Sequence, residues 1–221
     1  EQHELDNINL IYWRNSQLNF ESLDNLINSL EKKSNSEFLR RITDCEDEKV
    51  LKLLIKNNKD TKISNTKDAI QTLWECCQIP DFSKKSYGNH IEIVKKIFGF
   101  LTSSTRKVSN DYMKTQLKYL DKYDGNIDTL TNRISNVRTW SYVANKKGWV
   151  NNYDYWIERT KYMEDKLSDK LHEELTKSFI DKRISVLSRG LKQDAKLKTT
   201  ITSDDEVIID EQLVGKLKGL K

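Results

Sequence analysis

Met-Glu-Asp-Lys-Leu-Ser-Asp-Lys-Leu-His-Glu-Glu-Leu-Thr-Lys-Ser-Phe-Ile-Asp-Lys-Arg-Ile (163–184) sets an apolar residue at every fourth position, from Met163 through Leu167, Leu171 and Leu175 to Phe179. Charged and polar residues fill the intervals. A recurrence of four traces one side of an α-helix, whose period is about 3.6, so the stripe drifts around the axis. Ile180, Ile184, Leu187 and Leu191 then take it up. The pattern predicts one long helix from about Tyr153 to Leu191, with the stripe as its core-facing side. A single proline and seven glycines in 221 residues, with 33% charged and 36% hydrophobic side chains, point the same way. A sheet protein needs more turn residues than that.

Working outward, the same period recurs upstream. Ser22 is placed to cap a short helix carrying Leu23, Leu26, Ile27 and Leu30. Asp44 or Asp47 opens a second, with Val50, Leu51, Leu54 and Ile55. Thr66 opens a third, with Ala69, Ile70, Leu73, Trp74 and Cys77 inward. Further helices are expected over 88–102, from Ser109 or Asn110 to the Asp124-Gly125 turn, and over 126–145. Pro80 forces the residue before it out of helical geometry and ends the third helix. From Thr199 the period changes to two, with Asp204-Asp205 and Asp210-Glu211 as turns. The fold expected is mainly α: helical bundles with one long C-terminal helix, then a small terminal β-hairpin or meander. The expected organisation is an extended segment over residues 1–20, a first helical bundle over 21–82, a basic helical domain over 83–195 and a small β element over 196–221.

Charge is unevenly spread. Residues 1–81 carry a net −4, residues 82–198 a net +10 and residues 199–221 a net −2. A surplus of this kind suits a polyanion such as nucleic acid. A lysine-rich solvated helical surface gives the same count, and charge alone does not separate the two. Within the basic section, Arg133 and Arg138 precede Trp140 and Tyr142, then Lys146, Lys147 and Trp149. Arginine holds phosphate bidentately and exposed rings stack on unpaired bases, but Trp140, Trp149 and Trp156 read first as core packing. Arg133 and Arg138 lie five apart on one helix, about 140° around the axis, so they need not share a side. Lys182, Arg183 and Arg189 form a second basic group, equally placed to complement a helix C-terminus.

Several chemistries have no sequence support. There is no phosphate-binding Gly-x-x-x-x-Gly-Lys-Ser/Thr loop, dinucleotide fingerprint, nucleophile elbow or zinc helix. Glu164, Asp165, Asp169, Glu173 and Glu174 each have a basic neighbour at helical spacing, which reads as an ion-paired solvated side. Cys45, Cys76 and Cys77 are odd in number and lack zinc-ligand spacing, so buried thiols in a reducing compartment are expected. No catalytic residue and no metal ligand is assigned. No apolar run is long enough to span a bilayer, and Glu1 in place of methionine suggests a piece of a longer protein.

Leu-Trp-Glu-Cys-Cys-Gln-Ile-Pro-Asp-Phe (73–82) resembles the Leu-Trp-x-x-Cys-Gln-Ile-Pro-Asp-Phe/Tyr segment of the mitochondrial-degradosome-type RNA helicases, the Suv family within superfamily two. Asn-Val-Arg-Thr-Trp-Ser-Tyr-Val-Ala-Asn (136–145) with Lys-Gly-Trp (147–149) is similar to a later region of their alphaproteobacterial helicase-related relatives. So are residues 12–20, 164–175, 179–187 and 214–219, which spreads the resemblance over nearly the whole chain. It implies the C-terminal region that follows two RecA-like motor domains in an ATP-dependent helicase of the bacterial cytoplasm. ATP and magnesium would belong to the motor of the parent protein, with no cofactor in this chain. The implied partners are single-stranded nucleic acid, RNA before DNA, and the motor domains of the same parent chain, with no membrane. Lys84 and Lys85 stand where the family usually has a basic residue, while Ser83 stands where arginine is frequent. With Arg133, Arg138, Lys146 and Lys147 they make up the expected nucleic-acid contacts. The alternative is a helical protein–protein interaction module with no nucleic-acid contact.

Overall fold

The structure, a computed structural model, describes residues 14–32, 43–56, 65–84, 87–193, 199–209 and 212–219. It is mainly helical. The described helices are α1 (Leu23–Glu31), α2 (Glu46–Lys56), α3 (Lys67–Cys77), α4 (Tyr87–Leu101), α5 (Asn110–Leu120), α6 (Ile127–Asn145) and α7 (Tyr153–Gln193), followed by strands β1 (Thr199–Ile201), β2 (Glu206–Ile209) and β3 (Gln212–Lys216). The caps are those the sequence offers. Ser22 Oγ accepts the Asn25 amide at 3.1 Å, Thr66 Oγ1 the Ala69 amide at 3.4 Å and Ser109 Oγ the Asp111 amide at 3.2 Å. Each satisfies an amide that the first helical turn leaves without a partner.

The chain divides into two compact units, Glu1–Asp121 with Ser135–Met163 and Lys122–Ile134 with Glu164–Lys221. In the first, α2, α3 and α4 pack on one another. Their apolar sides supply Leu51, Leu54, Ile70, Leu73, Val94 and Ile97, all at most 2% exposed. Burying each such side chain contributes about 1.5–3 kcal/mol against the entropy of ordering the chain. Arg14 ties the leading segment to this bundle. Its guanidinium lies 2.9 Å from an Asp47 oxygen and 5.2 Å from the centre of the Trp74 ring. Cys76 and Cys77 are buried, and burial raises both thiols well above their ordinary value, which keeps them neutral and unreactive.

After α3 the chain turns at Pro80. The Gln78 amide still reaches the Trp74 carbonyl at 3.2 Å and the Ile79 amide the Cys76 carbonyl at 3.1 Å. The Pro80 carbonyl, past the helix, accepts the Thr139 hydroxyl of α6 at 3.1 Å. Asp81 Oδ1 closes the next turn by accepting the Ser83 amide, the Ser83 hydroxyl and the Lys84 amide. His90 of α4 is buried beside this turn. Burial lowers its imidazole pKa, against the opposing pull of the Asp81 carboxylate and a hydrogen bond with the Ile79 backbone. The change of net charge at Pro80 is thus a surface feature, because α3 and α4 on either side of it pack together.

In the second unit the terminal strands form an antiparallel sheet in the order β1-β2-β3, with Thr200 opposite Ile208 and Glu206 opposite Lys216. An irregularity between Val207 and Ile208 shifts the register of β2 on β3. This is the meander form of the two β arrangements expected. Long helix α7 runs over the predicted span, but its stripe departs from expectation. Met163 and Leu167 are fully buried and Leu171 is half-buried, whereas Leu175, Phe179, Ile180 and Ile184 are exposed. The core-facing reading therefore holds for only the first part of the stripe. Helical periodicity defines a side of a helix; it does not supply the element that covers that side. No helix among the described residues is long and apolar enough to cross a membrane.

Candidate nucleic-acid interface

The chain reverses between α6 and α7 through a turn that local chemistry dictates. Gly148 adopts φ 84°, a backbone conformation that suits glycine, and the Trp149 amide closes the turn on the Lys146 carbonyl at 3.1 Å. Trp149 and Val150 then bury their side chains. Val150 forms a parallel bridge with Val108, and the Val108 amide donates to the Trp149 carbonyl at 2.8 Å. Asn152 takes φ 55°, tolerated by asparagine, and α7 starts at the next residue. Trp156 Nε1 donates to Asn110 Oδ1 at 2.9 Å and pins that start to α5.

This bridge brings residues some forty positions apart to one cleft of roughly 690 Å³, lined by Lys107, Lys147, Gly148, Val150, Asn151, Asn152 and Tyr153. The lining residues include two lysines, two asparagines and one tyrosine, and no acidic residue. Among the described residues neither Lys107 nor Lys147 is paired with an acidic side chain. Tyr153 keeps 39% of its surface exposed. Such a set is suited to a phosphate-bearing ligand with a flat ring.

The residues expected from sequence fall in different places. Lys147 lines the cleft. Lys146, next to it, is half-buried, with its ammonium 5.1 Å from the Tyr142 ring centre and 5.9 Å from that of Trp149. Lys84 is exposed at the end of the Asp81 turn, held at φ 49°, and Lys85 lies outside the described residues. Arg138 is exposed on α6 in the first unit. Arg133 belongs to the second unit, where its guanidinium donates to the Lys122 carbonyl at 2.8 Å and to the Asp124 carbonyl. That guanidinium is engaged in holding the loop containing Gly125. Among the described residues, none of the other expected ones lines the cleft with Lys147.

Trp140, Trp149 and Trp156 are at most 6% exposed, so of the two roles open to them they take the core one. The exposed rings of the first unit include Tyr119, Tyr153, Tyr155 and Tyr162. Sequence reasoning missed Lys107 and Tyr153. Lys107 carries no local signal, while Tyr153 could have been noticed as an aromatic residue at the start of a helix beside a lysine pair.

One cluster has metal-ligand chemistry among the described residues. Ligand atoms of Cys45, Asp47 and Glu48 lie within 4.8 Å of one another. The Arg14 guanidinium, 2.9 Å from Asp47 and 3.9 Å from Glu48, already supplies the positive charge there. The cluster reads as an ion-paired anchor for the leading segment. Comparison with family models, with curated proteins and with solved structures finds no match for this chain.

Proposed function

We propose that this chain is the C-terminal accessory region of a Suv-type ATP-dependent helicase. In this reading it guides single-stranded nucleic acid, RNA before DNA, past RecA-like motor domains of the same parent protein. The observation that carries the reading is the cleft, in which Lys107 and Lys147 stand beside Tyr153 with no carboxylate in the lining. The net +10 of residues 82–198 supplies a wider attractive field for a polyanion. The ordered resemblance of residues 73–82 and 136–149 to helicase C-terminal segments supports the parent's identity. ATP and magnesium remain with the motor domains in this reading.

The test is a fluorescence-anisotropy titration of the chain with labelled single-stranded RNA, the same sequence as DNA, and a duplex. Binding to the single strands that weakens steeply with salt supports the reading. An isolated chain that binds no strand even at low salt sinks it. The exposed part of α7 favours a second reading, a helical protein–protein interaction module. Leu175, Phe179, Ile180 and Ile184 offer apolar surface to a partner. Under the helicase reading the motor domains cover it; under the second a separate protein does, and strand binding by the chain is not required.

A further inference from the structure

The cleft is more than a site of positive charge. A pair of lysines on a convex surface attracts any polyanion, single or double stranded, without distinguishing them. Here the same lining adds a half-exposed phenol ring, an apolar Val150 and the carboxamides of Asn151 and Asn152. Its volume, roughly 690 Å³, is that of an open depression on the surface, accessible to a strand passing over it. A phosphate alone needs neither that volume nor an aromatic wall.

We infer that this cleft is a seat for one unpaired nucleotide, and that Tyr153 determines the preference for single strands. The inference rests on the proposed strand-guiding function and deepens it. Lys107 and Lys147 hold the phosphate. The base leaves its neighbours and stacks on the Tyr153 ring, within reach of the Asn151 and Asn152 amides. A base inside a duplex is stacked on both faces and cannot use that ring, so duplexes lose this contribution and keep only the electrostatic one. The buried Trp149 and Val150 and the Val108 bridge fix the backbone that presents Tyr153, so the seat is built before the strand arrives.

The test compares Tyr153→Ala and Tyr153→Phe with the wild-type chain, using a labelled single-stranded RNA, the same strand annealed to its complement, and an abasic version. Tyr153→Ala is expected to weaken single-strand binding about 5- to 150-fold, the range for loss of one base–aromatic stack, with no change in salt dependence. Tyr153→Phe should bind as the wild type does. The abasic strand and the duplex should bind wild type and Tyr153→Ala alike. Tyr119→Ala, which removes a 71% exposed ring outside the cleft, should leave binding unchanged. Equal single-strand affinity of Tyr153→Ala and wild type, or a Tyr153→Phe loss as large as that of Tyr153→Ala, overturns the seat and leaves the strand-guiding reading intact. A wild-type chain that binds no strand overturns that reading, and the seat with it.

Discussion

Replacing Lys107 and Lys147 together by alanine isolates the electrostatic part of the interface. Both side chains are exposed and, among the described residues, unpaired with any carboxylate, so their loss leaves no buried charge behind and the fold should be unaffected. Each lysine that neutralises one phosphate of a single strand contributes about 0.7 to the slope of log affinity against log salt. Two such contacts make the wild-type slope steeper than that of the variant by about 1.4. Raising salt fourfold should therefore shrink the affinity ratio between the two proteins about sevenfold. The assay is anisotropy with a labelled single-stranded RNA at four or more salt concentrations, with circular dichroism to confirm that both proteins are folded. Parallel lines for wild type and variant would refute the reasoning, since a lysine that touches a phosphate must leave its mark on the slope.

Three further outcomes follow from the geometry. Arg133→Ala removes two hydrogen bonds to the Lys122 and Asp124 carbonyls and should destabilise the chain by about 1–3 kcal/mol in urea unfolding, while leaving the salt slope of strand binding unchanged. A shallower slope with unchanged stability would instead put Arg133 on the strand. Leu167→Ala empties a fully buried position and should cost about 2–5 kcal/mol, which urea unfolding reads directly. His90 gives a pH dependence whose sign is set by its lowered folded value. Above its ordinary value of about 6.5 both states are neutral and His90 contributes no slope. As pH falls below that value the unfolded chain takes up the proton first, so stability drops until the folded pKa is passed. Unfolding free energies at pH 7.5 and 5.5 should therefore fall further for wild type than for His90→Gln, and an equal fall in both would remove His90 as the cause.

The difference between Met163 and Leu175 shows where sequence reasoning reaches its limit. Both lie on one stripe with a spacing of four, and the periodicity that identified the helix applies equally to each. One is fully buried and the other is 47% exposed, because burial depends on what lies opposite. The three tryptophans repeat the point in reverse. Trp140, Trp149 and Trp156 sit among basic residues in sequence, where stacking on bases stays open beside the favoured core reading, and packing places them inside. Arg133 was legible as a basic residue on a helix; that its donors turn to the carbonyls of the preceding loop was not.

By itself the sequence determined what is local: seven described helices close to their expected spans, the Ser22 and Thr66 caps, the stop at Pro80, and the change to period two at Thr199, while the structure chose Ser109 over Asn110 as the third cap. Caps, turns and periodicity act over a few residues, so they are written within a few residues. Tertiary structure alone decided the cleft. Lys107 and Lys147 line one cleft because Val108 bridges Val150 across some forty positions, and no pattern along the chain encodes that bridge. It also decided that the long helix buries only the first part of its stripe, since hydrophobic burial requires a second surface and periodicity describes just one.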